Sequence, residues 1–145
     1  MKKIPKKKDR PDVDRYGRNE LINYVIENDL DKVKKLVNNG FDVNSKDDNL
    51  WTPLHFAAQS FNENIVAFLL NNNADPNAKD SDGNTPIFRA LFSCHGEDTN
   101  IFTMLLEKKG DPQLKNNNGI SAIELAGKVT NFDLKKYFPK YFKVL

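Results

Sequence analysis

The sequence predicts an all-α solenoid of about four stacked helix–turn–helix units, with short turns or hairpins projecting between them as fingers. Two internal repeats predict this fold. Thr52-Pro53 returns as Thr85-Pro86, and Leu36-Val37 returns as Leu69-Leu70 at the same offset along the chain. Self-similarity at a period of roughly 20–50 residues is the sequence signature of repeat architectures. We therefore expect a row of similar units rather than a single closed globule.

The length and composition are those of one folded domain. The chain has 145 residues, of which 39% are hydrophobic and 29% are charged, and such a chain can bury a core. Its longest apolar run, 65–70, has six residues, whereas a membrane span needs about 18. No signal-peptide stretch is evident, and a single cysteine excludes an internal disulfide framework. We expect a cytoplasmic protein that is monomeric when free and does not bind membranes.

The first unit is predicted at about 16–44, with helices near 19–27 and 31–38. It has no Thr-Pro start. Polar residues such as Asn23 suit a terminal unit whose outer face meets water. Residues 1–15, which contain a lysine cluster and two prolines, are predicted to be a basic, disordered tail.

The second unit, at about 45–78, has the clearest helix signals. Thr52 is a good N-cap, and Pro53 suits the first turn of a helix. The spacing i, i+1, i+4 and i+5 predicts one apolar stripe on a second helix. The residues of this stripe are Ile65, Val66, Leu69 and Leu70. Pro76 lies in a segment that cannot easily continue a helix.

The third and fourth units are predicted at about 79–114 and 115–138. Three extra residues in the segment 93–100 lengthen the link between the two helices of the third unit. The last residues, 139–145, are aromatic enough to fold back and pack on the last unit.

One turn position departs from the repeat. Leu50 stands where the later units have Gly83 and Gly119. Glycine is the residue that adopts left-handed turn conformations without strain. We therefore expect the turn at Leu50 to be distorted.

The segment Thr52-Pro53-Leu54-His55-Phe56-Ala57 resembles the Thr-Pro-Leu-His-x-Ala signature of the ankyrin repeat at every specified position. Related segments begin at Thr85 and Ser121, and the resemblance covers about residues 16–138. It implies a stack of units that each contain a β-turn and two helices. It also implies that His55 hydrogen-bonds neighbouring backbone rather than acting as a general base or a metal ligand.

The resemblance further implies a concave surface, formed by the turn tips and the outward face of each first helix. Trp51 is either an exposed binding hot spot or packed on the adjacent turn, and the sequence leaves both open. Phe92 is a second candidate anchor. Mapping the repeat positions gives the predicted partner-binding residues Asp48, Asn49, Trp51, Gln59, Ser60, Ser81, Asp82, Asn84, Phe92, Ser93, Asn117, Asn118, Ile120 and Lys128.

Charge is unevenly spread along the chain. Residues 1–10 hold six basic residues and one acidic residue, a net charge of +5. Residues 42–98 hold nine acidic and three basic residues, a net charge of −6. An acidic middle repels nucleic acid and attracts basic proteins, so we predict a basic protein partner and no nucleic acid on the repeat domain. The N-terminal lysines form either a solvated tail or a contact with RNA or a membrane.

Other chemistries have little support in the sequence. Cys94 and His95 are neighbours in a predicted loop, but adjacent residues rarely direct both side chains at one target. The chain has too few histidines and cysteines for a zinc site, and Asp80 and Asp82 lack the spacing of a calcium loop. No glycine-rich phosphate loop is present. We expect no catalysis, no metal and no cofactor.

Short stand-alone ankyrin chains of this kind resemble immunity proteins of bacterial toxin systems. The resemblance lies in the Asn-rich turns and the stretched third unit. It implies a protein that sequesters a cognate toxin by covering its active surface. The 19 asparagines and 18 lysines point to the AT-rich genome of a low-GC bacterium. A host-directed effector or scaffold is the alternative, followed by a small enzyme that uses Cys94 and His95.

Overall fold

The computed structural model describes residues 12–142 and confirms the all-α repeat fold. No β-strand occurs among these residues, and none of their helices is long and apolar enough to cross a bilayer. The elements are α1 (Glu20–Ile26), α2 (Leu30–Asn38), α3 (Pro53–Gln59), α4 (Glu63–Asn71), α5 (Pro86–Phe92), α6 (Ile101–Glu107), α7 (Ala122–Lys128) and a 3₁₀ helix at Lys135–Tyr137.

The first helix of every unit begins at a polar residue whose side chain accepts a hydrogen bond from the backbone N–H three residues ahead. Thr52 and Thr85 do so for α3 and α5, and each is followed by a proline. Ser121 caps α7 in the same way, and Asn19 caps α1. A cap of this kind satisfies one of the N–H donors that a helix start leaves unpaired. The recurring polar residue therefore determines where each first helix begins.

The helices lie in two layers. Helices α1, α3, α5 and α7 pack side by side in chain order, and α2, α4 and α6 form the second layer. Buried alanines such as Ala57 and Ala90 let the first helices approach closely, while Leu69 fills the space behind them. In the fourth unit the 3₁₀ helix takes the place of a second α-helix, and the buried side chains of Leu134 and Phe138 close the core there.

One hydrogen-bonded turn recurs at the start of each unit. The side-chain Oδ1 of its first residue accepts hydrogen bonds from the backbone amides two and four residues later. These first residues are Asp14, Asp47, Asp80 and Asn116. The turn at Asp14 places residues 14 and 15 within the first unit, across the expected boundary between the tail and the repeat domain. The lysine cluster at 2–8 lies outside the described residues.

The turn at Leu50 is not distorted, so that expectation was wrong. Leu50 has a φ of +61°, close to +78° at Gly83 and +73° at Gly119. Its amide donates to the carbonyl of Asp47, as the amide of Gly83 donates to Asp80. The hydrogen bonds of the turn hold Leu50 in the left-handed region, where a β-carbon costs about 1–2 kcal/mol.

Two equivalent asparagines tie successive units together. The side chain of Asn44 donates to the carbonyl of Asn73 at 3.2 Å and accepts from the amide of Asp75 at 2.8 Å. Asn77 forms the corresponding pair with the next unit, at 3.0 and 2.7 Å. Each asparagine satisfies one backbone acceptor and one backbone donor of its neighbour, so the units are held in register.

The extra residues of the third unit form the loop between α5 and α6. Asn100, which precedes α6, makes no side-chain cap. Instead Glu63, at the start of α4, accepts hydrogen bonds from the amide of Asn100 at 2.7 Å and the hydroxyl of Thr99 at 3.0 Å. The hydrogen bond from the Asn100 amide is the main cause that lowers the pKa of Glu63. The second unit thus stabilises the lengthened loop of the third.

The described part of the C-terminal segment lies on the fourth unit. The ring of Phe142 lies beside Gly127 of α7, where an added β-carbon would be 3.6 Å from Cε1 of the ring. The Nζ atom of Lys135 is 5.6 Å from the centroid of the same ring. Residues 143–145 lie outside the described residues.

Candidate protein-binding surface

Most of the predicted partner-binding residues fall into two rows that follow the first helices. One row lies on the turn tips before α3, α5 and α7, and the other lies at the C-terminal ends of these helices. Each helix has seven residues, so the rows are about 10 Å apart. The turn row contains Asp48, Asn49, Ser81, Asp82, Asn117 and Asn118. The helix row contains Gln59, Ser60, Phe92, Ser93 and Lys128.

Backbone hydrogen bonds connect the turn row from one unit to the next. The amide of Ser81 donates to the carbonyl of Asn49 at 2.9 Å. In the same way, the amide of Asn117 donates to the carbonyl of Asp82 at 3.0 Å. The amide of Asp48 makes the same link to Tyr16, at 3.0 Å, and so extends the row to the first unit. These links join the four turns into one continuous ribbon.

Phe92 is the prominent apolar side chain of the helix row. It is 68% exposed, the highest value among the exposed large hydrophobic residues of the described chain. Its neighbours along the row are polar: Gln59, Ser60, Ser93 and Lys128. An exposed aromatic residue bordered by polar side chains is the arrangement of a hot spot with a polar rim.

Trp51 is half-buried and packs between the second and third units. Its ring centroid lies 4.8 Å from that of Phe56 and 5.7 Å from that of His55. The guanidinium carbon of Arg89 lies 4.7 Å from the Trp51 ring. Of the two interpretations that the sequence left open, the contacts favour packing over a free-standing anchor. Ile120, at the equivalent place in the fourth unit, is also half-buried.

The Trp51 contacts belong to a longer row of rings and guanidinium groups, which we call the aromatic–arginine stack. Successive members are 4.7 to 5.3 Å apart, measured to ring centroids. These distances are within the range of cation–π and aromatic pair interactions. From the first unit to the third, the members are Arg15, Tyr16, Arg18, Phe56, Trp51 and Arg89.

The two ends of the stack differ in charge compensation. Arg89 donates from Nε to Oδ2 of Asp80 at 2.6 Å and from Nη2 to Oδ2 of Asp82 at 2.9 Å. The Asp80 side chain is fully buried in this pair. Among the described residues, Arg18 forms no ion pair, and its Nε is buried without a hydrogen-bond partner. Arg15 donates to the hydroxyl of Tyr16 at 2.6 Å.

Asp47 has no counterpart of the Arg89 ion pair within the described chain. Phe56 occupies the position in the second unit that Arg89 occupies in the third. Burial raises the pKa of Asp47, although the amide hydrogen bonds and the charge of Arg18 act in the opposite direction. The buried carboxylate of Asp47 in the second unit therefore has less compensation of its negative charge than that of Asp80 in the third unit.

Asn84 lies below the surface on which it was placed by the sequence. It is 6% exposed, and its Oδ1 accepts a hydrogen bond from the side chain of Asn116 at 2.9 Å. Its carbonyl accepts from Nε2 of His55 at 2.9 Å. Because both groups serve contacts between units, Asn84 is not part of the partner-binding surface that we propose.

His55 connects the second unit to the third, as the resemblance implied. It is fully buried, and its Nδ1 accepts a hydrogen bond from the amide of Thr52 at 3.1 Å. Because Nδ1 is an acceptor, the proton lies on Nε2, which donates to Asn84. Burial lowers the pKa of His55, and the neutral imidazole therefore fills a structural role.

Cys94 and His95 are not arranged as a nucleophile and its base. Cys94 is buried, and its thiol donates to the hydroxyl of Tyr137 at 3.4 Å. His95 is exposed, with its ring edge-on to that of Phe132 at 5.2 Å. The amide of His95 donates to Glu97 at 2.6 Å, which lowers the pKa of Glu97 to about 2. Among residues 12–142, no group of three or more potential metal-ligating side chains is found.

Sequence analysis missed five members of the stack: Arg15, Tyr16, Arg18, Phe56 and Arg89. The repeat carried a signal for three of them, because Arg18 and Trp51 hold the same position in successive units, as do Phe56 and Arg89. The first unit has no Thr-Pro start, so the surface was mapped only from the second unit onward.

The fold and surface together define an all-α repeat protein whose turn tips and first helices form one extended surface. The sequence model described as "Ankyrin repeats (3 copies)" matches residues 21–116. The match covers more than half of the chain, which therefore belongs to the ankyrin-repeat family. Ankyrin repeats are generally protein–protein interaction modules, and the family is typically non-catalytic. No curated protein matches the sequence.

Proposed function

We propose that this chain is a non-catalytic module that binds a basic protein through its concave surface, and that the partner is a bacterial toxin whose active surface it covers. The exposure of Phe92 is the observation on which the proposal rests. The residue is 68% exposed on the first-helix layer, where burial against a partner would remove apolar area from water. A structural role in the free protein does not require that exposure.

The charge of the surface supports a basic partner. Residues 42–98 carry a net charge of −6, and Asp82, Glu97 and Asp98 are exposed within this region. The low pKa of Glu97, about 2, keeps its carboxylate ionised at neutral pH. Opposite charges on two proteins steer their encounter and disfavour wrong partners.

The toxin assignment rests on the resemblance to immunity proteins, since an ankyrin fold by itself defines no particular partner. The continuous ribbon of turns and the aromatic–arginine stack support it indirectly. A surface that is ordered before binding loses little conformational entropy on association, which favours tight sequestration of a toxin.

Affinity capture from a lysate of the source cell tests the binding role. We expect the tagged chain to retain a protein of basic isoelectric point, identified by mass spectrometry, and Phe92→Ser to lose at least about 90% of it. Phe41→Ser is the matched control, because Phe41 is an exposed aromatic residue, 37% accessible, in the turn after α2 and outside both rows. Equal loss from both variants would contradict the proposed surface.

A charge variant tests the electrostatic part of the proposal. Asn49 is exposed on the turn row and contributes its carbonyl to the link with Ser81, so its side chain can change without breaking that link. We expect Asn49→Lys to slow association with the captured protein and Asn49→Asp to leave it equal or faster, with both effects shrinking as salt increases. A partner insensitive to both changes would exclude charge steering at this row.

Expression of the captured protein tests the immunity role. We expect it to arrest growth when produced alone and to be neutralised when the wild-type chain is co-expressed. Phe92→Ser should fail to protect. A captured protein that is harmless alone would leave a binding module but remove the toxin assignment.

A further inference from the structure

We propose that Arg15 and Arg18 form a subsite for a single carboxylate of the partner protein, from an aspartate or glutamate side chain. The proposal rests on the proposed function only where it assigns this carboxylate to a partner. The subsite itself follows from the side chains of the first unit.

Arg18 is held between two aromatic rings. Its guanidinium carbon lies 4.7 Å from the centroid of Tyr16 and 5.3 Å from that of Phe56. Stacking engages the faces of the guanidinium and leaves the N–H groups at its edge. A guanidinium whose plane is already restrained loses less freedom when it binds a planar acceptor through two parallel hydrogen bonds. Arg18 is therefore prepared for a carboxylate.

The guanidinium N–H groups of Arg18 have no hydrogen-bond acceptor within the described part of the chain. Its Nε is buried without a hydrogen-bond partner, and its guanidinium forms no ion pair with the acidic residues there. Unsatisfied buried donors are uncommon in folded proteins, and each requires an explanation. Because Nε has almost no accessible surface, a partner's carboxylate would reach the guanidinium through its Nη groups and supply the acceptors that they lack.

Arg89 is the internal precedent. It stacks on Trp51 at 4.7 Å, in the same row of rings as Arg18, and its edge is occupied by the carboxylates of Asp80 and Asp82. The first unit has no such pair, because Asn23 stands where the third unit has Arg89. In Arg89, then, the edge of a stacked guanidinium is filled by carboxylates.

Arg15 adds a second cation to the site. Its guanidinium carbon is 4.7 Å from the ring of Tyr16, and the residue is exposed. Asp14 and Asp47 lie close by and contribute negative charge, although an oxygen of each accepts backbone hydrogen bonds of its turn. Asp48, whose side chain lies against Gly17, is a third carboxylate beside the two cations. These acidic surroundings disfavour a doubly charged phosphate more than a singly charged carboxylate.

An NMR titration of the wild-type chain tests the subsite without any partner. The probe is N-acetyl-glutamate α-methylamide, which carries one carboxylate, and the matched neutral probe is N-acetyl-glutamine methylamide. We expect the Nε–Hε signals of Arg15 and Arg18 to shift saturably with the glutamate probe and to remain in place with the glutamine probe. The Nε–Hε signal of Arg89 serves as the internal control and should not move, because its edge is already filled.

Arg18→Lys assigns the signal and tests the geometry. Lysine keeps the positive charge but not the planar fork, so we expect the saturable shift of the Arg15 signal to be lost in this variant. The proposal is overturned if Arg18 responds no more than Arg89, or if inorganic phosphate at the same ionic strength binds more tightly than the glutamate probe. Binding of the glutamate probe together with failure of the lysate capture would retain the subsite and reject the proposed function.

Discussion

Arg18 and Arg89 stand at two places in one row of stacked side chains, yet their surroundings differ. Arg89 pairs with Asp80 and Asp82, and the Asp80 carboxylate is fully buried. Arg18 has aromatic rings on two sides and no ion pair among the described residues. The same row thus contains an arginine with two ion pairs in the third unit and, in the first, an arginine that forms none with the described residues. The difference teaches that a stacked arginine acquires its role from the acidic residues of its unit as well as from the rings beside it.

The largest expected effect is that of Arg89→Ala, which tests the difference between the two arginines directly. Arg89→Ala leaves the buried Asp80 carboxylate without a cation and should lower the free energy of unfolding by about 3 kcal/mol or more, measured by chemical denaturation. Arg18→Ala removes stacking contacts and an attraction to Asp14 and Asp47 that involves no ion pair, and should cost about 1 kcal/mol or less.

A second-site change checks the reason for the Arg89 effect. Asp80→Asn in the Arg89→Ala background should recover much of the loss, because Asn116 already forms the same turn with an amide side chain in the fourth unit. If the two arginine variants lose equal free energy of unfolding, or if Asp80→Asn recovers none of it, the Arg89–Asp80 ion pair is not the cause of the difference.

The middle of the stack separates stability from binding. Trp51→Ala removes the contacts with Phe56 and Arg89 and should lower stability by about 2 kcal/mol. Phe92→Ala should change stability by less than about 0.5 kcal/mol, since that side chain is mostly in water. A thermal melt of both variants beside the capture assay tests this. Comparable melting temperatures would mean that Trp51 is a surface anchor after all.

The link from the second unit to the third should depend on pH through His55. Burial lowers its folded pKa below the unfolded value of about 6.5, so on acidification the unfolded chain takes up the proton first. Stability is therefore full above pH 6.5 and declines below it, by at most about 1.4 kcal/mol for each pH unit. His55→Phe, which copies Phe88 of the third unit, should flatten this slope between pH 6.5 and 5. An unchanged slope would mean that groups other than His55 cause the pH dependence of stability.

The smallest effect concerns the turn of the second unit. Leu50→Gly removes the strain of a left-handed β-carbon but increases the freedom of the unfolded chain, and the net gain should be about 0.5 kcal/mol. The melting temperature should rise slightly. Gly83→Ala, the inverse change in the third unit, should be destabilising, because its β-carbon would lie 2.8 Å from the amide nitrogen of Asn117. A lower melting temperature for Leu50→Gly would show that the left-handed conformation of Leu50 carries no strain.

The sequence predicted the units better than the contacts between them. The constant repeat offset and the Thr-Pro starts are signals that the chain carries locally, and α3 and α5 begin where they indicate. The conformation of Leu50 could not be predicted from its own preference, because the side chain of Asp47 holds the turn through two amide hydrogen bonds. The context of the turn overrode the preference of the residue.

The surface was only partly predictable for a similar reason. Exposure of Phe92 followed from its place on a first helix. Burial of Asn84 depends on Asn116 and His55, which belong to the neighbouring units. The role of Arg18 depends on Phe56, which belongs to the next unit. Such contacts join positions that a pattern within one unit does not relate.

Hydroxyl-radical footprinting of the chain alone and with its captured partner tests the central claim most directly, because it reports side-chain exposure at single residues. The account predicts that oxidation of Phe92 falls several-fold in the complex, while Phe41 and Tyr141, exposed by 37% and 39%, react as before. Protection of Phe41 or Tyr141 with Phe92 still reactive would place the partner elsewhere and contradict a docking surface on the first helices.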